Sequence, residues 1–387
     1  MLQSCKKTQT KNTRYNFLFI MPEIINNDII RRLSEIIALF QKKSLGIIIL
    51  TSYLDATRRY FDKNLDIVVY KKLNNAFLCK KKIKQICQQF DVDAINLCDL
   101  EYMFIAYDTA RQLDIPFWCT IFNIKKPDNN YDREILSTIY KSSFIIAMSK
   151  YVRDFLLNYG SLDLSKLIYI NEFADPINFD YQSITKGRIV DVVAEIDTNI
   201  CDKKIILCPC DYKHIDMCLN LIKIVGKIDA NNCIFLFIGP FKDTKKNRLS
   251  ILKEIKKYNL YSKIKITNSI LDVYALYSSI YLLLLLQKDD NIYTSEVCEA
   301  NFMKKPSIMS KTNYSTYNVV DGKTGILVQK NNVSDIVAAI NYMLALPENE
   351  YNIMCEEAYK YANDFFRAKK KVDKIEDKWN ELYIKDV

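Results

Sequence analysis

Two series of short apolar runs alternate with amphipathic helical segments, and this alternation constrains the fold of the 387-residue chain more than any other feature. Strands that alternate with helices favour a parallel sheet with helices on both faces. The pattern restarts at Lys204, so the sequence predicts two α/β units in tandem, and the chain also exceeds the usual size of one core. The predicted strands are 15–20, 46–51, 66–70, 93–97, 116–122, 144–148 and 166–170, then 204–207, 233–239, 263–267 and 281–286.

Three further segments are read from their composition. Residues 180–202 mix charges with little periodicity, which predicts a linker. The lysine-rich stretch between Phe365 and Trp379 predicts a C-terminal helix. Lys80-Lys-Lys-Ile-Lys84 forms one helical face, which we interpret as solvated, with a weak membrane-surface role as the alternative.

The charge balance and the apolar runs limit the class of partner. A formal net charge of +9 admits nucleic acid, an anionic membrane surface or phosphate-bearing ligands, but no nucleic-acid-binding motif accompanies it. The longest apolar run, 280–286, is far shorter than the ~20 residues that cross a bilayer. The polar start of the sequence lacks the apolar core of a secretory signal. We therefore expect a cytoplasmic protein with a peripheral contact at the inner face of the membrane and no nucleic-acid partner.

The twelve cysteines are scattered, and no Cys-x-x-Cys pair occurs among them. In a cytosolic protein such cysteines are usually small core residues. Cys208-Pro-Cys210 with His214 is the alternative, a metal cluster. Zinc sites usually separate paired ligands by two to four residues and need a fourth ligand, so no metal is expected.

A set of motifs in the second half follows in a fixed order: Glu299-Ala300, Lys305-Pro306, Ser310, Asp321-Gly322 and Gly325. Their order and spacing resemble the donor-binding half of family 4, or group 1, retaining glycosyltransferases, which use nucleotide sugars and have the GT-B fold. Matching fragments of the first half lie at 91–95, 115–120, 149–156 and 166–171, and at Asp175 and Phe179. The resemblance covers nearly the whole chain, and an arbitrary two-lobed α/β protein does not account for this ordered set.

This resemblance implies a GT-B architecture, in which two Rossmann-like, doubly wound parallel-sheet domains face a cleft. It places an acceptor domain at residues 1–185 and a nucleotide-sugar donor domain at 186–365. Residues 366–387 are then a C-terminal helix that packs back on the first domain. The nucleotide sugar is a substrate in this family, so no cofactor is implied.

Glu299 is the residue that the resemblance identifies most clearly as functional. Seven residues separate it from Asn291, the spacing of the family's Glu-x7-Glu pair, with Asn291 in place of the first Glu. A carboxylate suits the ribose diol of the donor, and an amide suits a sugar hydroxyl. Tyr293 and Thr294 take the places of the family's Phe-Gly, and Thr294 or Ser295 is expected to cap a helix whose first N–H groups face the donor phosphates. The alternative makes Glu299 an ordinary surface acid on a helix.

The cationic side of the implied site departs from the family pattern. Lys213-His214 fits the family's Lys-Gly, whereas Cys208 takes the place of the Arg that follows the first strand of this half. Lys213 is therefore the expected phosphate-binding cation, and His214 is either its neighbour at the phosphates or a plain loop residue. In the first half, Asn26 and Asn27 occupy the family's Gly-Gly loop, where asparagine tolerates positive φ but adds bulk.

Two functions follow from these matches and departures. The first is a divergent retaining glycosyltransferase that moves a sugar from a nucleotide-sugar donor to a glycan or lipid-linked acceptor of the cell-surface polysaccharide or lipopolysaccharide type, without a metal. The second is a catalytically inactive relative that acts as a sugar-nucleotide sensor or partner subunit. Loss of the Arg, the Gly-Gly loop, the first Glu and the family's His, which is replaced by Phe122-Asn123, favours the second. A sugar-nucleotide epimerase ranks last, because it needs more ionisable residues in the cleft.

Overall fold

The structure is a computed structural model. It describes residues 15–383 except 22–26, 43–44, 53–60, 62–64, 72–74, 161, 171–173, 175–178, 201, 211–214, 240–244, 268–269, 271, 287–294 and 367. The chain divides into two compact units. The first comprises residues 1–172 and 368–387, and the second comprises residues 173–367.

A parallel sheet forms the centre of the first unit. Its described strands are β1 (Asn16–Ile20), β2 (Gly46–Thr51), β3 (Asp66–Val69), β4 (Ala94–Leu97), β5 (Phe117–Ile121), β6 (Ile145–Ala147) and β7 (Leu167–Tyr169). They are ordered β3-β2-β1-β4-β5-β6-β7. The described helices are Asn27–Lys42, Ala76–Gln89, Met103–Leu113, Asn130–Tyr140 and Lys150–Tyr159, with 3₁₀ turns at Leu100–Tyr102 and Leu164–Lys166. Strands β2, β4 and β5 are buried along their whole length, which is why their sequences are mainly apolar.

The C-terminal helix, Ala368–Tyr383, also belongs to the first unit. Its Trp379 is buried and packs edge-on against Phe17, with ring centroids 4.7 Å apart. The same indole lies 5.7 Å from the ring of Trp118. Buried aromatic rings contribute both apolar area and geometry-specific contacts, so this cluster holds the helix on the first sheet.

A second parallel sheet forms the centre of the second unit. Its described strands are β8 (Lys204–Pro209), β9 (Cys233–Ile238), β10 (Ile264–Thr267), β11 (Leu282–Leu285), β12 (Ser307–Ser310) and β13 (Gly325–Val328), ordered β10-β9-β8-β11-β12-β13. The described helices are Lys186–Ile196, Ile215–Val225, Lys245–Lys257, Val273–Ser279, Glu296–Phe302, Val333–Ala345 and Glu348–Phe365, with 3₁₀ turns at Tyr181–Ser183, Thr198–Ile200 and Ser315–Tyr317. In the part of the chain that the structure describes, no helix is long and apolar enough to cross a membrane.

The two faces of the second sheet carry separate hydrophobic cores. Successive side chains of β8 point to opposite faces, so Ile206 and Cys208 join one core while Ile205 and Leu207 join the other. Both cores are built from fully buried side chains. Because these four residues of β8 alternate between the two cores, none of their side chains reaches solvent.

The boundaries between the two units differ from the predicted ones, which lay between residues 185 and 186 and between residues 365 and 366. The backbone N–H of Ala174 donates to the carbonyl of Phe366 at 3.0 Å. Phe179 is buried and packs edge-on against Tyr274, with ring centroids 4.9 Å apart. These contacts tie Ala174 and Phe179 to the second unit, which therefore begins earlier in the sequence than predicted.

The linker predicted at 180–202 is wrong, because the helix Lys186–Ile196 occupies its centre and 3₁₀ turns lie on either side of that helix. The side chain of Thr185 caps this helix by accepting from the N–H of Arg188 at 3.4 Å. Arg188 makes two hydrogen bonds to the carboxylate of Asp272, at 2.7 and 2.8 Å. The apolar residues that pack on the core repeat at helical spacing, and the charged residues between them obscured this period: Ile189, Val192, Val193 and Ile196.

Candidate functional site

The carboxyl ends of β8 and β11 mark the point where the order of the second sheet reverses. Strand β8 lies between β9 and β11, and Leu207 of β8 is aligned with Leu283 of β11. In open α/β sheets, the connections that leave such neighbouring strands diverge and open a ligand-binding crevice. The topology therefore identifies this end of the sheet as the candidate site of the second unit.

The predicted donor-binding loops are attached to these two strands. Lys213 and His214 fall in 211–214, which begins just after β8 ends at Pro209. Asn291, Tyr293 and Thr294 fall in 287–294, which begins just after β11 ends at Leu285. Both segments lie outside the described residues, so the roles of these side chains stay predictions. The described strands bring the two attachment points to one edge of the sheet.

Glu299 lies on the helix Glu296–Phe302, which follows the second of these segments. Its side chain is 0% exposed, and its neighbours Val297, Ala300 and Phe302 are equally enclosed. The interpretation of Glu299 as an ordinary surface acid is therefore wrong. An enclosed carboxylate is costly unless polar partners compensate it, which sets this residue apart from the charged residues of a solvated helix.

Ser295 occupies the N-cap position of the Glu299 helix, as predicted, but without the predicted side-chain contact. Its backbone carbonyl accepts from the N–H of Glu299 at 3.0 Å. Its side chain makes no capping hydrogen bond to the first turn, because the residue has the helical dihedrals φ −83° and ψ −23°. A capping side chain requires extended dihedrals at this position.

Cys208 is enclosed in the core of the second unit. Its side chain is 0% exposed, and its thiol lies 3.7 Å from the carbonyl of Ile206. Burial raises the pKa of the Cys208 thiol well above its ordinary value, with smaller contributions from Cys218 and Cys233. Cys208 therefore cannot take the part of the family's Arg at a diphosphate, and an Arg side chain at this position would place its charge in an apolar core.

The Asp-Gly-x-x-Gly motif has a structural explanation in the second unit. Gly322 has φ +73°, a conformation that favours glycine, and its N–H donates to the carbonyl of Gly325 at 2.8 Å. A Cβ atom at Gly325 would lie 2.1 Å from the carbonyl oxygen of Ser307 on β12. Asp321 accepts from the N–H of Leu327 at 2.9 Å. The backbone needs these residues whether or not a donor binds, so their retention does not discriminate between an enzyme and an inactive relative.

The corresponding end of the first sheet lies where β1 and β4 meet. Asn26 and Asn27 follow β1; Asn26 lies outside the described residues, and Asn27 begins the helix Asn27–Lys42. Nothing described fixes their side chains, so the predicted contact with a ligand stays a prediction. Among the residues after β4, Asp99 caps a 3₁₀ turn by accepting from the N–H of Glu101 at 3.1 Å.

A buried polar group between β4 and β5 was not predicted. The amide of Asn96 donates to Thr120 Oγ1 at 2.9 Å, and both side chains are buried. The Cys98 thiol donates to Asn96 Oδ1 at 3.0 Å. The sequence signal was an asparagine inside the apolar strand Ala94–Leu97, a position where a buried amide needs dedicated partners.

The two units have the fold of known glycosyltransferase structures. A glycosyltransferase from Rickettsia africae ESF-5 matches with a TM-score of 0.84 over 97% of this chain and 100% of that chain, at 18% identity. Anabaena Alr3699/HepE in complex with UDP-glucose matches with a TM-score of 0.81 over 95% and 99%, at 13% identity. Sucrose-phosphate synthase from Thermosynechococcus elongatus matches with a TM-score of 0.74 over 96% and 100%, at 13% identity. At these identities the likeness establishes the fold, and the predicted GT-B fold is confirmed.

The similarity to a protein family lies in the second unit. Residues 209–361 match the model of the glycosyl transferases group 1 family. The matched segment contains Lys213, Asn291 and Glu299, together with the Asp-Gly-x-x-Gly motif. No curated protein sequence gives a significant match. The predicted resemblance of the second half to group 1 glycosyltransferases is confirmed over residues 209–361.

Proposed function

We propose that this protein is a metal-independent retaining glycosyltransferase that moves a sugar from a nucleotide-diphosphate sugar to a glycan or lipid-linked acceptor. The observation that carries the proposal is the position of the group 1 match. It begins at Pro209, the last residue of β8, and takes in the segment after β11 and the Glu299 helix, so it includes both connections at the reversal point of the sheet. The acceptor class proposed is a cell-surface polysaccharide or lipopolysaccharide precursor.

The proposed chemistry requires little acid–base assistance from the protein. The acceptor hydroxyl oxygen forms a bond to the anomeric carbon on the face from which the diphosphate departs, and the bond from that carbon to the phosphate oxygen breaks. The hydroxyl proton moves to the departing phosphate oxygen. The protein then mainly orients the two substrates and stabilises the leaving negative charge. This division of labour is compatible with Phe122-Asn123 at the position of the family's histidine.

The residues of the second unit take distinct parts in this proposal. Lys213 carries the positive charge at the diphosphate, with His214 beside it. Glu299 binds the ribose diol, and Asn291 binds a sugar hydroxyl. Because Glu299 is fully enclosed, binding through its carboxylate requires the atoms that cover it to move. Donor binding is therefore coupled to a local rearrangement of the second unit. On the other unit, Asn26 and Asn27 approach the donor.

A second function, a sugar-nucleotide sensor or partner subunit without turnover, is favoured by one observation. Cys208 replaces the family's Arg and is buried, so no cation at that position can assist the leaving diphosphate. A charged hydrogen bond contributes about 1.5–3 kcal/mol, so its loss slows transfer by roughly 10- to 150-fold if it acts in the transition state.

A ligand screen separates these two functions. The thermal shift of the protein is measured with UDP-, GDP- and ADP-sugars, beginning with UDP-glucose because it is the ligand of Alr3699/HepE. Release of the nucleoside diphosphate is then followed with the sugar nucleotide that stabilises most. Release that depends on an added acceptor glycan supports the transferase. Binding without release supports the sensor, and the absence of any stabilisation contradicts both.

Two substitutions test the donor site itself. Glu299→Ala is expected to weaken donor binding much more than Asn291→Ala, because a carboxylate accepts two charge-assisted hydrogen bonds and an amide oxygen accepts neutral ones. Glu299→Gln serves as the matched control, since it keeps the volume of the enclosed side chain. Equal losses for Glu299→Ala and Asn291→Ala in a calorimetric titration would mean that Glu299 does not bind the ribose.

A further inference from the structure

We propose that the first unit binds an anionic lipid surface through the helix Ala76–Gln89, called here the lysine helix, with Phe77 inserted between lipids and its lysines against the lipid phosphates. The protein then contacts the membrane through one defined face, that of the lysine helix. The proposal goes beyond sugar transfer and does not depend on it, because surface binding needs neither donor nor acceptor.

Phe77 is the first observation. Its side chain is 76% exposed, the largest exposure among the large hydrophobic residues in the described part of the chain. It belongs to an ordered helix, which Asn75 caps by accepting from the N–H of Leu78 at 3.0 Å. The inner side of the helix is anchored by buried Ile83 and Ile86. The fold therefore holds this aromatic ring in solvent on a rigid support.

The charge around Phe77 is the second observation. The lysine helix carries Lys80, Lys81, Lys82 and Lys84 and no acidic residue. Lys81 and Lys84 follow Phe77 at i+4 and i+7, so the three side chains share one face. Lys82 donates to the neutral Gln85 Oε1 at 3.2 Å and lies 5.9 Å from the centre of the Tyr70 ring.

Two acidic residues follow the carboxyl end of the lysine helix, the end opposite Phe77. These are Asp91 and Asp93, and Asp93 accepts from the backbone N–H of Asn16 at 2.7 Å. The helix Met103–Leu113, which packs beside the lysine helix, contributes Asp108 and Arg111, whose charges balance. The end that carries Phe77 therefore presents an aromatic ring and net positive charge together.

This arrangement fits a bilayer surface better than nucleic acid. Single-stranded nucleic acid is bound in grooves by several aromatic side chains that stack successive bases. The lysine helix contains a single aromatic ring, that of Phe77. An apolar side chain among lysines is the composition of interfacial helices on anionic membranes, and each lysine near such a surface strengthens binding about fivefold.

The second unit offers a matched control helix, Lys245–Lys257. It also carries exposed lysines at 253 and 256 and an exposed apolar residue, Leu249, at 59%. Unlike the lysine helix, it contains an acid, since Glu254 pairs with Lys257 at 3.2 Å. Two lysine substitutions there change the net charge by the same amount, and substitution of Leu249 removes an exposed apolar side chain, at a different surface.

The test is co-sedimentation of the full chain with vesicles of phosphatidylcholine, with and without phosphatidylglycerol. We expect binding only to the anionic vesicles. Lys81→Gln with Lys84→Gln should weaken it about 25-fold, from two lysines at about fivefold each. Phe77→Ser should weaken it at least tenfold, the loss expected for one aromatic side chain. Lys253→Gln with Lys256→Gln, and Leu249→Ser, should leave it unchanged.

Three results would overturn the proposal. The first is equal weakening by the lysine-helix and control variants, which assigns binding to net charge alone. The second is tight binding of the wild type to neutral vesicles. The third is binding to a single-stranded RNA that exceeds binding to vesicles and is lost with Lys81→Gln and Lys84→Gln. Thermal stabilisation by sugar nucleotides is measured in the same variants, so failure of the lipid site is distinguished from failure of the proposed function.

Discussion

Gly325→Ala tests whether the Asp-Gly-x-x-Gly motif is retained for the fold. The added Cβ would lie 2.1 Å from the carbonyl oxygen of Ser307 and 3.0 Å from its carbonyl carbon and nitrogen. All three atoms are backbone atoms of the neighbouring strand, so no side-chain rotation relieves the overlap. Strands β12 and β13 must separate by about an ångström, which is more than a packed core tolerates without loss.

The expected loss of unfolding free energy is about 3 kcal/mol, the upper part of the range for overpacked cores. For a unit of this size, 1 kcal/mol lowers the melting temperature by about 2–4 °C, so the expected decrease is about 6–12 °C. Two glycines of the same unit provide controls. Gly322→Ala meets no atom within 4 Å but adopts φ +73°, and should cost about 1–2 kcal/mol. Gly187→Ala, at the start of a helix with only Thr185 Oγ1 at 3.9 Å, should stabilise by up to about 1 kcal/mol.

The assay is thermal unfolding followed by circular dichroism, repeated with a stabilising sugar nucleotide. The order of stability should be Gly187→Ala above wild type, then Gly322→Ala, then Gly325→Ala. A Gly325→Ala protein within 1 kcal/mol of wild type would refute the close approach of β12 and β13. If Gly325→Ala lost ligand binding but kept its stability, the motif would be a binding element rather than a structural one.

Three further predictions concern buried and paired side chains. Cys208→Arg places an unpaired charge in the core, so it should lower the unfolding free energy by several kcal/mol and should not raise turnover. The unfolding free energy is measured by denaturant titration, with Cys208→Ser as the milder control. Trp379→Ala should cost about 3–5 kcal/mol, read as a decrease in melting temperature, whereas truncation of an exposed residue of the same helix should not. The two hydrogen bonds from Arg188 lower the pKa of Asp272 below its ordinary value of 3.8. This half-exposed pair contributes at most about 1 kcal/mol to the unfolding free energy. The contribution is present above pH 3.8 and is lost as the pH falls through the pKa of Asp272 in the folded protein. A difference between wild type and Asp272→Asn that is the same at pH 7 and at pH 2 would contradict it.

Much of the fold could be predicted because its strands are continuous apolar runs. The prediction of 46–51 for β2 agrees with Gly46–Thr51, and the prediction of 116–122 for β5 extends one residue beyond Phe117–Ile121 at each end. The helix Lys186–Ile196 was missed because its charged residues interrupt a short apolar period. Its stability depends on the Thr185 cap and the Arg188–Asp272 pair, and the second is a contact across 84 residues that no local pattern reveals.

The family resemblance was predictable from the sequence, whereas the surroundings of the candidate residues were not. Asn291, Glu299 and the later motifs, whose spacing and order carry the resemblance, all fall within residues 209–361, the segment that matches the group 1 family. The complete burial of Glu299 could not be read from the sequence, because it results from the packing of Glu296–Phe302 against other elements of the second unit. The burial of Cys208 was readable in principle, since it alternates with Ile206 on one face of β8.

The central claim is that a nucleotide-diphosphate sugar binds where β8 and β11 end, and that Lys213 binds its diphosphate. The measurement is a calorimetric titration of wild type, Lys213→Ala and Lys223→Ala with the sugar nucleotide that stabilises the protein most. Lys223 lies in the last turn of the helix Ile215–Val225 and is exposed, so it matches the change in charge at a site away from the strand ends. The account predicts a loss of roughly 10- to 150-fold in affinity for Lys213→Ala, the worth of one charged hydrogen bond, and no change for Lys223→Ala. Unchanged affinity in Lys213→Ala would contradict it.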